Sequence, residues 1–432
     1  MKKIFKVCLL FFLLNSCSID FFQIFNKISG NEILIAVKQN NKWRIYKKDG
    51  ITKLISPQYD DISSYSESLL SVKIGNKWGY VDKTGNIKIV PKFDSVCSFL
   101  EEFACATKDG NIGFIDKTGS FVIEPKYERV SNFTEGLAFF LENKKWGIIN
   151  KYGKIVSEPK FESINLFTSF KNGLTIASKD NQFGLIDKTG KYINSTYYDY
   201  ISYFFYKDDN LRTYPLNKDN LLYLIKNNGK FGILNKNGNL LVSPDFDDIT
   251  PIINDGMIAI KKNNKFGFID ITGKMVIEPQ FEGLIAEPYF NDGLAGVKKD
   301  EKYGYVDRTG KFIISPTLEA THFFTEGYAS FRKNNKWGFI DKAGKVVIES
   351  QFDFVGPFSE GIAPIIKDKK YGFINKSGQF VIKPDFDFLD PFSYIDGIIK
   401  VKKNNKSMIL DKTGKILLEG EEIYLLEEIK SF

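Results

Sequence analysis

Histidine is almost missing from this sequence, with one in 432 residues, and cysteine is scarce at four. A zinc, haem or iron–sulfur centre built from His and Cys therefore has almost no ligands to draw on, and no metal or cofactor is expected. Charge of one sign is also lacking. A formal net charge of +7 is modest for this length and far below the balance of a nucleic-acid-coating protein, so no specific nucleic-acid partner is expected. No phosphate-binding loop, paired Cys-x-x-Cys, serine nucleophile elbow or His-Glu-x-x-His helix occurs. Long amphipathic helical patterns are missing too; only residues 421–432 could form a short helix, or else a frayed C-terminal tail. What is abundant is aromatic and turn-forming: 40 Phe, 21 Tyr and 35 Gly, a composition that points to a β-rich chain with many turns. With 43% hydrophobic and 26% charged residues the chain has the make-up of a folded protein with room for two or three cores.

The N-terminus reads as an address. Lys2 and Lys3 precede an apolar run from Ile4 to Leu14, interrupted by Lys6 and too short to span a bilayer, which fits an export signal over residues 1–16. Leu14-Asn15-Ser16-Cys17 resembles a bacterial lipobox. That resemblance implies that Cys17 receives the lipid and becomes the first mature residue, with 17–30 as a tether to a membrane of the cell envelope, its leaflet unspecified. The alternative is a plain secretory signal without lipidation. Either way 416 residues with a side-chain charge of +4 would remain.

A repeat organises the rest. Lys77-Trp78-Gly79-Tyr80-Val81-Asp82-Lys83-Thr84-Gly85 returns around Ile112-Gly113, Trp146-Gly147, Phe183-Gly184, Phe231-Gly232, Phe266-Gly267, Tyr303-Gly304, Trp337-Gly338 and Tyr371-Gly372. Diverged copies at Trp43-Arg44 and Ser407-Met408 bring the count to about eleven units over residues 31–420, with a period of about 35 residues and one long insertion at 193–220. In the fourth unit, 136–141 and 146–150 read as two strands of a hairpin around a polar tip. Asn150-Lys151-Tyr152-Gly153 has turn chemistry, and a third strand from Lys154 should end at Pro159, which lacks a ladder N–H. The ring beside each Gly could lie across its bare backbone and join one unit to the next.

This pattern resembles the WG-repeat proteins, also called the KWG-repeat family, from about residue 31 to 420. The resemblance implies a β-repeat protein of bacterial envelopes and other compartments that serves as a scaffold for interactions, and it supplies no catalytic motif. The expected fold is all-β, an open β-solenoid or superhelix of three-stranded hairpin units, with one or more closed β-propellers as the alternative. Eleven short units fit a ring of about 4–8 four-stranded blades poorly, and the terminal units have lost their aromatic-Gly pairs in the manner of caps.

Candidate chemistry is sparse. An acid follows an aromatic at Asp60, Asp94, Glu128, Glu162, Asp199, Asp247, Glu282, Asp353 and Asp387. An active site is needed once, so acids recurring in nearly every unit are expected to bond turn amides or pair with a neighbouring Lys. His322 occupies a variable loop position with no orienting acid or nucleophile beside it in sequence. Cys97 and Cys105 could form a disulfide or remain small buried residues. The insertion crowds Tyr197, Tyr198, Tyr200, Tyr203, Phe205, Tyr206 and Tyr214 together, either as a contact surface or as a local core. Hairpin tips such as Lys261-Lys262-Asn263-Asn264-Lys265 could stack into a cationic edge for an anionic polymer, or simply be solvated turns. The expected function is a lipid-anchored, non-catalytic envelope scaffold that binds a protein or anionic polymer. A polysaccharide- or cell-wall-active enzyme using 193–220, or a structural spacer, are the alternatives.

Overall fold

The computed structural model describes residues 34–47, 58–164, 170–193, 197–207, 213–215, 221–285, 290–395, 397–426 and 428–429. The signal segment, Cys17 and the tether lie outside them. Among the described residues there is no helix, and the strands gather into eleven principal antiparallel sheets, one per repeat, with a small accessory sheet at the insertion.

The fourth unit shows the plan. A two-residue lead strand, Arg129–Val130, pairs with Leu137–Glu142, which forms a hairpin with Lys145–Asn150, and Ile155–Phe161 returns along the far edge. The units are thus four-stranded, because the connector after the return strand contributes the lead strand of the next sheet. Hairpin tips place two successive residues at positive φ, as at Asn143 and Lys144 or Asn263 and Asn264. Such a two-residue turn matches the twist of the flanking strands, and Asn tolerates that region, which accounts for the recurring Asn-Asn tips.

Leu137, Ala138, Phe139 and Phe140 are all buried because this strand has a neighbouring blade on each face. The return strand alternates instead, with one side open to solvent. Cores form between consecutive sheets: Met257, Ala259, Phe268, Ile277 and Phe281 of one unit close on Phe290, Ala295, Val297 and Val306 of the next. The rings that join units are these connector phenylalanines rather than the ring beside each Gly. Phe133 meets Phe114 at 4.6 Å, Phe324 meets Tyr305 at 4.7 Å and Phe358 meets Phe339 at 4.7 Å.

The Gly itself is explained by backbone. A Cβ on Gly304 would stand 2.5 Å from the Ile314 carbonyl oxygen and 2.8 Å from the nitrogen of Pro316. The return strand does not stop at its proline as the sequence suggested. It bulges there, between the pairs Tyr305↔Ile314 and Tyr303↔Leu318, and lays its main chain over the Gly. A ring fills the notch only at Gly147, from Phe140, and at Gly184, from Tyr192.

The open solenoid expected from the sequence is corrected to a closed, eleven-bladed β-propeller. Glu422–Leu426, read as a tail or short helix, is a strand that pairs with Leu34–Gln39 from Lys38↔Glu422 to Leu34↔Leu426 and supplies the first blade's lead strand. Glu428–Ile429 pairs with the second blade at Tyr65 and Ser66. The seam has a core of its own, in which Ile35 and Val37 meet Ile398, Ile409 and Ile423. The degenerate ends are therefore joined units rather than caps. Met408 can replace Gly because its return strand, Ile416–Gly420, pairs at Met408↔Glu419 and Ile409↔Leu418 without the bulge that covers the glycines. Eleven sheets close by taking a smaller step, roughly 33° per blade against about 45° in an eight-bladed ring.

Candidate functional site

The recurrent acids hold the fold. Asp94 accepts from the Asp109 amide at the next hairpin tip, 2.9 Å, and pairs with Lys77; Asp353 does the same with the Asp368 amide and Lys336. Glu162 takes the Asn181 amide and Lys145, and Asp247 the Asn264 amide and Lys230. The lysine contact, with the amide bond, holds the carboxyls of Asp94, Asp247 and Asp353 below their ordinary range, and in Glu162 the amide bond is the larger influence. The same lysines flank the hairpin tips, so much of the supposed cationic edge is neutralised blade by blade.

A second set of acids links blades. Glu101 accepts from the Gly136 amide of the following unit at 2.9 Å, Glu135 from Gly173 at 2.9 Å, Asp292 from Gly327 at 2.7 Å and Glu326 from Gly361 at 3.1 Å. A lysine from that same following unit completes each contact, as in Lys151–Glu101 at 3.2 Å and Lys376–Glu326 at 3.2 Å. These acids sit at positive φ, and Glu135, Asp292 and Glu326 come just before the turn Gly.

His322 Nδ1 lies 2.8 Å from Ser330 Oγ, a spacing a nucleophile–base pair would show. Ser330, however, is 3% exposed within a core strand, and His322, half-buried, is stacked on Trp337 at 4.5 Å. Burial pushes the imidazole below its usual pKa. Ser131 does similar work in its unit, where its hydroxyl takes the Phe139 amide. Cys97 and Cys105 are joined by a disulfide across paired strands, Cα to Cα 5.1 Å.

The aromatic insertion divides. Tyr198 and Tyr203 are buried in the largest core with Phe204 and Tyr223, so they are packing residues rather than contact surface. Tyr198 is also the regular aromatic of its unit, bridged to Phe183 as Trp43 is to Tyr59. Phe205 is half-buried, while Tyr197 is half-buried and Tyr200 exposed. Tyr206 and Tyr214 pair through their backbones in the accessory sheet, and their side chains lie outside the described ones. The repeat aromatics behave alike: Trp78, Phe231, Phe266 and Trp337 each lie under the Lys or Arg directly across the hairpin, as Lys73 covers Trp78 at 5.8 Å and Lys261 covers Phe266 at 5.1 Å. Trp146, Phe183, Tyr303 and Tyr371 occupy the same strand position, each followed by its buried Gly147, Gly184, Gly304 or Gly372; Gly79, Gly232, Gly267 and Gly338 complete the set.

One cleft breaks the regularity. About 550 Å³ in volume, it lies between the return strands of the fourth and fifth blades, lined by Lys160, Phe161, Lys179, Lys191, Tyr192 and Tyr197 among others. The Tyr192 ring meets Phe161 at 6.1 Å and Tyr197 at 5.1 Å, both edge to face. Its hydroxyl is shielded from water and bonded to nothing among the described residues, and burial pushes its pKa up to about 12. Of these residues only Tyr197 stood out in the sequence. The others become visible when units are overlaid at the repeat period. Among the described residues no cluster of three or more His, Cys, Asp or Glu could hold a metal ion, and no helix is long and apolar enough to cross a membrane.

Among solved structures, a eukaryotic initiation factor is similar at 11% identity over 92% of this chain and 98% of that one, with a TM-score of 0.39. AztD from Citrobacter koseri is similar at 13% identity over 93% and 99%, TM-score 0.30. The extracellular domain of a hybrid two component system from B. thetaiotaomicron shows 12% identity over 96% of this chain and 66% of that one, TM-score 0.27. No curated protein sequence matches. The family described as WG containing repeat matches residues 52–78, 78–111, 112–146, 146–182, 231–266, 266–303, 303–337, 337–371 and 371–406. With the matched segments covering well over half the sequence, the chain belongs to the WG-repeat family.

Proposed function

We propose that this propeller is a non-catalytic binding scaffold, held to a membrane of the bacterial envelope by lipid on Cys17, that captures a protein or polymer of that compartment. The observation that carries the reading is the use to which the acids are put. The carboxylates that recur around the ring fasten turn amides and lysines, and Ser330, the hydroxyl beside His322, is buried in a core strand. Irregular, accessible chemistry gathers instead at the cleft and at Tyr200, beside the one insertion. A stiff ring with one irregular sector suits recognition, in which a rigid frame presents a few non-repeating side chains.

The reading is tested by three measurements on the full chain. Metabolic labelling with palmitate should mark the wild type and not Cys17→Ser, and unchanged labelling would remove the anchor. Affinity capture from envelope extracts should recover a specific component. A glycan and peptide hydrolysis screen should show no turnover. Reproducible turnover, abolished by an acid substitution in 193–220 or by His322→Ala, would establish the enzymatic alternative instead.

A further inference from the structure

We propose that the cleft between the fourth and fifth blades binds a segment of an acidic carbohydrate, with Lys160, Lys179 and Lys191 meeting its anionic groups and Tyr192 and Tyr197 its ring faces. The proposal rests on the scaffold reading above and names the polymer class that this scaffold would take.

The charge at this place is singular. Lys160 belongs to the return strand of one blade, Lys179 to the hairpin of the next and Lys191 to the turn after that hairpin. At the other seams around the ring, at least one of the three matching positions is acidic (Glu142, Asp245, Asp385 and Glu419) or uncharged (Gln58, Ser120, Tyr197, Gln280, Thr317 and Gln351). Only here do three lysines coincide. All three are exposed, and none has an ion pair with a carboxylate among the described residues, whereas at another seam Lys403 pairs with Asp385. Three ammonium groups without a direct ion pair around one concavity raise the local potential for an anion, offset in part by Asp187, whose carboxyl feels Lys191.

The packing at this seam also differs from that at the others. In most units a branched residue of the return strand, such as Ile123, Ile277 or Ile348, packs against the turn Gly of the following blade; Ile123 stands 3.4 Å from the position of a Cβ on Gly153. In the fourth unit that residue is Ser157, buried against Gly190 with its Oγ 2.7 Å from the position of a Cβ there. Tyr192, at a position held by Ile87 in the second unit and Val346 in the ninth, lays its ring on Gly184 at the wall of the cleft.

Aromatic faces with polar edges stack against sugar rings, and lysine serves an anionic group as a point charge. A volume of about 550 Å³ falls within the roughly 300–1,000 Å³ of clefts that enclose small ligands, and is too small for the face of a folded protein. Carboxylate and phosphate substituents share this chemistry, so the class is an acidic glycan of either kind.

Calorimetric titration of the full chain with trigalacturonate, against maltotriose and tripolyphosphate, tests the inference. Trigalacturonate should bind at least tenfold more tightly than either control, and Lys160→Glu with Lys179→Glu should weaken it at least tenfold while leaving the thermal transition within a few degrees. Equal binding of maltotriose, equal binding of tripolyphosphate, preference for anionic phosphatidylglycerol vesicles, or full affinity in the lysine variant would each overturn the proposal. If trigalacturonate does not bind but an envelope component is still captured, this inference falls and the scaffold reading stands. Hydrolysis of bound trigalacturonate would reverse that outcome.

Discussion

Lys38 and Glu422 stand 384 positions apart in the chain and form an ion pair of 3.2 Å where the two ends of the ring meet. The pair does not stand alone: the Glu421 amide donates to the Lys38 carbonyl at 2.9 Å, and the Asn40 amide donates to the Glu421 carboxylate at 3.1 Å. The second of these repeats the amide–acid bond that Asp94 and Asp353 make inside the ring. Closure thus reuses the internal device of the repeat.

Because the seam is held chiefly by its apolar core, Ile423→Ala should destabilise the protein by about 2–5 kcal/mol, and Lys38→Ala by no more than about 1 kcal/mol. Thermal unfolding of the two variants measures the difference. Solution scattering from the chain without residues 1–16 should give a compact profile near the roughly 22 Å radius expected at this length. An elongated profile would contradict the closed ring.

Gly304→Ala sets a Cβ against the carbonyl of Ile314 and is expected to cost about 1–3 kcal/mol, as overpacking does. The exchange Met408→Gly at the matching site of the last unit should instead lose packing, because no bulge covers it. Denaturant titration of both variants would show whether backbone approach or family habit explains the Gly.

The insertion's aromatics should separate by burial. Tyr203 is 4% exposed and Tyr200 45%, so Tyr203→Ala should lower stability by about 3–5 kcal/mol and Tyr200→Ala should fall within about 0.5 kcal/mol of wild type. Equal melting temperatures for the two would show that Tyr203 is not a core residue.

His322 gives the protein a dependence on mild acid. Its folded pKa is depressed by burial, so the unfolded chain binds the proton more readily. The stability this contributes is complete above the ordinary histidine value of about 6.5 and is lost as pH falls through the lower folded value. Around it sit Trp337 and Phe354 by their rings and Ser330 by its hydroxyl, with the Arg332 guanidinium on Trp337. His322→Asn should flatten the change in melting temperature between pH 7.5 and 5.5. As the one histidine in the chain, its proton resonance can be titrated directly, with a midpoint expected below 6.5.

The sequence by itself determined the repeat, its period and its local chemistry. Asp-x-Thr-Gly and Asn-Asn tips choose their turns through contacts within a few residues, as when Asp82 accepts from the Thr84 and Asn86 amides at 2.9 and 3.0 Å. The structural use of the recurrent acids was readable for the same reason, since recurrence itself argued against a single reaction centre. Tertiary structure decided what depends on distant residues meeting. Closure joins Leu34–Gln39 to Glu422–Leu426, and neither segment carries a local sign of the other. The fate of Tyr198 and Tyr203 depended on which neighbouring sheet covered them, which aromatic composition does not encode. Lys160, Lys179 and Lys191 look like ordinary surface lysines in sequence. They share one cleft because adjacent blades stack at the repeat period.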